Sequence, residues 1–305
     1  MRGKVENHPS STAAHAALGV LCALLAVAPL TGCGGGDGAS GSAALKVFVS
    51  IPPQAFIVER IGAEYVDVHI LIPPGRDPHT YEPTPRLVSE LGRAKLFFRI
   101  GMSFEDALLS KIRRGHGDLV VVDTDRGIAK RPVSGRVDAR ISREELDPHI
   151  WLSPPLIKIQ ARNVAEALIA ADSIHAEEFS RNLESLLEEI DETDARIRKA
   201  LAPFKGRAFY VFHPAFGYFG DAYGLRQEAV EVGGKSPMPR QLHMLIEKAK
   251  REKVRIVFVE PQFDTRSAEA VARSIGGVVV PMDPLAEDVL ANLVRIADRI
   301  EKSLR

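Results

Sequence analysis

Short runs of β-branched and aromatic residues recur along this chain, alternating with stretches in which apolar positions repeat every three or four residues. Leu45–Ile51, Val66–Ile72, Leu96–Ile100 and Leu119–Val122 read as four strands, with helical spacing over Gln54–Ile61 and Arg86–Arg93. A second set follows in Ala208–Phe212, Glu228–Val232, Arg255–Val259 and Val278–Met282. Within it, Pro239–Glu252 carries Leu242, Leu245, Ile246 and Ala249 on one helical face, and Ser267–Ser274 predicts the next helix. Strand–helix alternation of this kind predicts an α/β fold of two lobes, each a mostly parallel sheet flanked by helices.

The region between the two sets is helical throughout. Leu156–Ala171 forms one helix, and Ala176–Leu201 forms a longer one in which Phe179, Leu183, Leu186, Leu187, Ile190, Ile197 and Leu201 share a face. No Pro or Gly interrupts it before Pro203. At 1.5 Å per residue such a helix spans about 39 Å, long enough to join two lobes as a rigid backbone helix. Periodicity alone does not separate that strut from an ordinary surface helix. The expected divisions are 45–173 for the first lobe, 174–202 for the linking helix and 203–305 for the second lobe.

The N-terminus has a different character. Arg2 and Lys4 precede an almost continuously apolar run from Ala13 to Pro29, followed by Leu30-Thr31-Gly32-Cys33. A basic start, a short apolar stretch and small residues before the cut describe a secretory signal over 1–32. Cysteine directly after the small residues matches a bacterial lipoprotein signal, with lipidation at Cys33 and attachment to a membrane. The Gly-, Ser- and Ala-rich segment that follows, within 33–44, reads as a flexible tether. A plain signal peptide with an incidental cysteine is the alternative. Cys22 and Cys33 are the only two cysteines, so the exported part has neither an internal disulfide nor a thiolate metal site.

Composition adds exclusions. The chain has 305 residues, 45% hydrophobic and 26% charged, with 40 basic and 40 acidic side chains. That balance fits a globular protein with a substantial core and gives no basic surface for nucleic acid. Gly234-Lys235-Ser236 resembles the end of a phosphate-binding loop, but Ala229 occupies the first glycine position and Pro237 stands where the helix would begin. No Gly-x-Ser-x-Gly or His-Glu-x-x-His hydrolase motif occurs.

Three of the nine histidines stand out by context. His79 lies in Asp77-Pro78-His79-Thr80-Tyr81-Glu82-Pro83, just past a strand, and His149 in Asp147-Pro148-His149-Ile150-Trp151. His213 ends one strand and Asp283 another, each before a proline. Binding groups in open α/β sheets gather beyond the carboxyl ends of strands. Proline fixes its own φ and pushes the preceding residue toward an extended conformation, which holds such groups still. Asp77 and Asp147, each two residues before its His, are placed to orient an imidazole. One Asp-Pro-His alone is as readily a turn; two, with two matching strand ends, point to a divalent cation. Ligation needs neutral imidazoles, so binding is expected to weaken as pH falls through about 6.5.

These residues carry a family resemblance. The segments Asp77–Pro85, Asp147–Pro154 and His213–Phe219, with Ile100-Gly101, Glu105, Tyr223-Gly224-Leu225 and Val259-Glu260-Pro261-Gln262, resemble the solute-binding proteins of zinc and manganese ABC importers, the ZnuA/TroA type. The resemblance implies a periplasmic, monomeric carrier with metal held between the lobes by His79, His149, His213 and Asp283. It also implies an ABC permease with its cytoplasmic ATPase as partner. Manganese-selective members usually place Glu where this chain has His213, and a nitrogen-rich set suits Zn2+ better than Mn2+. The His-rich acidic loop of many zinc relatives is missing between Gly115 and Asp147, where Arg126, Lys130, Arg131, Arg136, Arg140 and Arg143 stand instead. Two alternatives share the metal: an envelope zinc hydrolase using Glu260 as base, and an adhesin-like lipoprotein with a structural ion.

Overall fold

A computed structural model describes residues 44–112, 118–133, 146–231, 237–263 and 265–305. The signal sequence, Cys33 and nearly all of the tether lie outside the described residues, as do His116, Arg136, Arg140 and Arg143. The first lobe contains β1 (Leu45–Val49), α1 (Pro52–Gly62), β2 (Val66–Ile70), α2 (Pro85–Leu91), β3 (Leu96–Arg99), α3 (Ser103–Ile112) and β4 (Val120–Asp123). Its parallel sheet has the order β2-β1-β3-β4. Two helices follow, α4 (Pro154–Ala171) and α5 (Ala176–Leu201). The second lobe contains β5 (Ala208–Val211), α6 (Gly217–Tyr223), β6 (Arg226–Ala229), α7 (Pro239–Arg251), β7 (Ile256–Val259), α8 (Arg266–Ser274), β8 (Val278–Pro281) and α9 (Val289–Leu304). Its sheet repeats the same order, β6-β5-β7-β8, again parallel.

Both sheets therefore reverse direction of growth beside their first strand, between β1 and β3 and between β5 and β7. Chains leaving those strands at the carboxyl edge part to either side and open a crevice there. Each sheet contributes such an edge to the region between the lobes.

The long helix behaves as the apolar spacing predicts. Phe179, Leu186, Ile190, Ile197 and Leu201 of α5 are buried, while Glu178, Glu189 and Asp194 at its flanks bond Tyr65, Arg60 and Tyr223. It packs against α1 and α4 on the first lobe and against α9 on the second. One continuous apolar core therefore runs from Phe48 and Phe97 of the first sheet, through α5, to Leu293 and Ile300 on α9 and Val211 of the second sheet. A smaller cluster covers the other face of the second sheet, with Tyr210, Val257, Val259 and Val271. Swinging the lobes apart freely would expose part of the larger core to water, at about 25 cal/mol for each Å2 of apolar surface. The lobes are joined stiffly.

Three differences from the sequence reading have physical causes. The strand expected at Glu228–Val232 is β6 at Arg226–Ala229, because Arg226 already pairs with Ala208, and backbone bonds to the neighbouring strand run on through Val230 and Glu231. The helix α6 was not expected: it has seven residues, including Gly217 and Gly220, and so little intrinsic preference. Packing decides it, since a Cβ on Gly220 would stand 3.0 Å from the Leu225 carbonyl oxygen. Also unexpected were α3 and α9. The latter begins where the Asp288 side chain accepts from Ala291 N, and buries Val289, Leu293, Ile296, Ala297 and Ile300.

Candidate metal centre

Three local structures deliver the imidazoles. In the loop after β2, Asp77 Oδ1 accepts from His79 N at 2.9 Å and its Oδ2 accepts from Thr80 Oγ1 at 2.8 Å. Asp77 holds the backbone of His79, and the structure gives it no bond to the ring that the sequence reading assigned it. The second Asp-Pro-His does both jobs: Asp147 Oδ1 accepts from His149 N at 3.0 Å and meets His149 Nδ1 at 2.7 Å. Asp147 is buried and sits against the start of α6, where a Cβ on Gly217 would stand 2.9 Å from its Oδ2. Glycine at 217 leaves room for that carboxylate.

His213 comes from the end of β5. Parallel pairing with β6 continues past Ala229, with Glu231 N donating to Phe212 O at 3.0 Å, so Glu231 arrives beside His213. Glu231 Oε2 meets His213 Nδ1 at 2.7 Å. A carboxylate at Nδ1 fixes the hydrogen there and leaves Nε2 with a free lone pair. His149 and His213 are thus held in the same tautomer by Asp147 and Glu231. Their Nε2 atoms face each other at 3.4 Å.

His79 completes the group: one ring nitrogen from each of His79, His149 and His213 lies within 4.8 Å of the others. Among the described residues, no other set of three metal-ligating side chains converges in this way. His79 is exposed at the rim as a residue, yet its ring centroid lies 5.6 Å from that of His149 and 4.9 Å from that of His213. Burial, followed by repulsion from the other two rings, lowers its pKa to about 3. The pKa of His149 is also lowered, burial outweighing the opposing pull of Asp147. Neutral imidazole, the ligating form, therefore persists in His79 well below the ordinary histidine range, and burial favours it in His149 as well.

The structure does not bring Asp283 into this set. Its Oδ1 accepts from Gln262 Nε2 and from Leu285 N, both at 2.9 Å, which ties the carboxylate to the segments that follow β7 and β8. Glu260, at the end of β7, is wholly buried, and its Oε2 accepts from His213 N at 3.3 Å. Its Oε1 has no partner among the described groups. Burial first, with further repulsion from Glu231 and Asp283, raises its pKa well above the usual carboxylate range.

The cavity at the three rings is about 20 Å3, lined also by Met102, Trp151 and Phe263. That is room for one ion or one water, and its walls beside the imidazoles are apolar. Trp151 closes the floor: its ring lies 5.2 Å from that of His149, and its Nε1 donates to Pro284 O at 2.8 Å across the lobes.

Residues 47–302 match the family described as zinc-uptake complex component A, periplasmic, or ZnuA. This chain belongs to the ZnuA family. Among solved structures it is similar to a zinc-bound ZnuA deletion mutant, with a TM-score of 0.80 and 38% identity over 85% of this chain and 98% of the other. Among curated relatives, a manganese ABC transporter substrate-binding lipoprotein PsaA from Streptococcus anginosus is 30% identical over 271 residues, 84% of this chain and 85% of its own. The high-affinity zinc uptake protein ZnuA of Bacillus subtilis is 27% identical over 243 residues, 76% of each chain.

Three residues of this ZnuA-family site escaped the sequence reading, among them Phe263, whose ring stacks on that of His213 at 4.9 Å between centroids. Glu231 carries no motif; only the β5–β6 register, which puts it opposite His213, could have found it. Met102 lines the ion-sized cavity from the loop after β3, where nothing in sequence marks it.

Proposed function

We propose that this ZnuA-family protein is the substrate-binding component of an ABC importer and that it captures zinc on His79, His149 and His213. The observation that carries the reading is the 3.4 Å separation of two Nε2 atoms whose lone pairs face each other. Two nitrogens at the usual Zn–N distance of about 2.0–2.1 Å, at a tetrahedral angle, lie about 3.4 Å apart. Manganese favours oxygen donors, so the nitrogen-rich donor set supports zinc over manganese.

In this scheme the three imidazoles supply most of the affinity, and the tied carboxylate of Asp283 contributes less than any of them. Three histidines with an open fourth position also describe a catalytic zinc. Here the candidate base, Glu260, is buried, engaged with His213 N and biased toward its protonated form. The cavity moreover admits an ion but no organic substrate. Carriage rather than hydrolysis follows. The cargo would pass to a membrane permease driven by a cytoplasmic ATPase, with Cys33 carrying the lipid that keeps the protein at the membrane. No described helix is long and apolar enough to cross a membrane itself.

Elemental analysis of protein purified without added metal, followed by competition titration of Zn2+ against Mn2+, tests the assignment. His213→Ala should weaken zinc binding at least about 100-fold with the fold intact, whereas Asp283→Ala should cost under about tenfold. Unchanged zinc affinity in His213→Ala refutes the site; a larger loss from Asp283→Ala restores that residue as a principal ligand.

A further inference from the structure

Tyr218 is buried on α6, and its only ionisable atom sits at the junction of the lobes. Arg131 N donates to Tyr218 Oη at 3.0 Å, and Tyr218 Oη donates to Asp147 O at 3.0 Å. Arg131 and Asp147 are themselves paired, with Asp147 N donating to Arg131 O at 2.8 Å. One phenol from the second lobe thus satisfies a backbone donor and a backbone acceptor on two adjoining segments of the first. Arg131 adds an ion pair to Asp221, three residues further along the same helix.

This contact reaches the metal centre at both ends. Asp147 is the residue whose carboxylate holds His149 Nδ1. The helix that carries Tyr218 starts four residues after His213, across Pro214-Ala215-Phe216. Moving α6 relative to the 131–147 pair would shift His213 against His149, the two rings whose nitrogens stand 3.4 Å apart. Since the apolar core joins the lobes stiffly, small shifts at such polar contacts are the motion left to the site.

We infer that Tyr218 is an interlobe latch: a positioning residue that touches no cargo but fixes Asp147, and through it His149, against the lobe that bears His213, so that its hydroxyl sets how fast bound metal escapes. This rests on the three-histidine reading above. The latch acts on geometry, since removing it leaves all three ligands and both orienting carboxylates in place.

The test is Tyr218→Phe, with Tyr223→Phe as its control. Tyr223 is equally buried on the same helix, but its hydroxyl donates to Asp194 on α5, away from the metal centre. Zinc-loaded wild type and both variants are mixed with excess chelator and zinc loss is timed; apo melting temperature and amide exchange at Arg131 are measured in parallel. Losing the phenol's two hydrogen bonds should speed zinc loss roughly tenfold. Arg131 N–H exchange should also quicken in the apo protein, while Tyr223→Phe leaves both within twofold of wild type. Equal zinc loss in Tyr218→Phe and wild type overturns the latch, and so does equal acceleration in the two variants, which would mark general loosening. Failure of wild type to bind zinc at all would instead sink the three-histidine reading.

Discussion

Glu231→Gln removes a charge from the metal centre while keeping the side chain's shape. Glu231 Oε2 meets His213 Nδ1 at 2.7 Å, and the two side chains are only 11% and 8% exposed, so water does little to replace the contact. A hydrogen bond to a charged partner is worth about 1.5–3 kcal/mol, a neutral one about 0.5–1.5 kcal/mol. The amide oxygen of Gln can still accept from Nδ1–H, which preserves the tautomer but not the charge. The expected loss is therefore about 1–1.5 kcal/mol of metal binding, roughly tenfold in Kd. Glu231→Leu, which leaves Nδ1–H without an acceptor, should approach 100-fold, the upper end for partners of metal-bound histidines. Zinc affinity would be measured at neutral pH by competition with a chromogenic chelator, alongside apo melting temperature. Asp172→Asn serves as a control, because Asp172 makes a comparable 2.6 Å contact with His175 outside the metal centre. A Glu231→Gln protein that binds zinc within twofold of wild type would refute the orienting role, as would an equal loss in Asp172→Asn.

Two further outcomes are expected. In the apo protein, the ring protons of His79 should not titrate between pH 8 and pH 5 by NMR, and the midpoint of His149 should fall below the ordinary histidine value, since burial lowers both groups. For His79 the unfolded chain binds the extra proton between about 3 and the ordinary histidine value of 6.5, so its contribution to stability is complete above that window and declines as pH falls through it; a midpoint near 6.5 for either ring contradicts the burial argument. Cys33→Ser should move the protein from the membrane fraction to the soluble fraction and abolish labelling by a fatty-acid analogue, and retention at the membrane would exclude lipid attachment at that residue.

Much of this architecture is legible before folding, and the reasons are local. Alternating strand and helix periods specify two parallel sheets because each period tolerates one kind of burial, and the α5 face from Phe179 to Leu201 is written in three- and four-residue steps. His79, His149 and His213 announce themselves by their prolines and strand ends, since rigid loops at carboxyl edges need those residues nearby in sequence. The short helix α6 is the counter-example: two glycines in seven residues erase its local signal, and only the Leu225 backbone and the Asp147 carboxylate explain why they are there.

What tertiary structure alone decided is which groups work together. Asp77 and Asp147 occupy the same place in the same tripeptide, yet one holds a backbone and the other an imidazole, because only Asp147 is walled in against α6. Asp283 has the strand end and the proline of a ligand, but Gln262 and Leu285 claim its oxygen first. Glu231 has no motif and gains its role from sitting one strand over from His213. Sequence fixes residue types and local backbone, whereas the direction of a side chain and its competing partners depend on contacts between distant segments, which exist only once the lobes have packed.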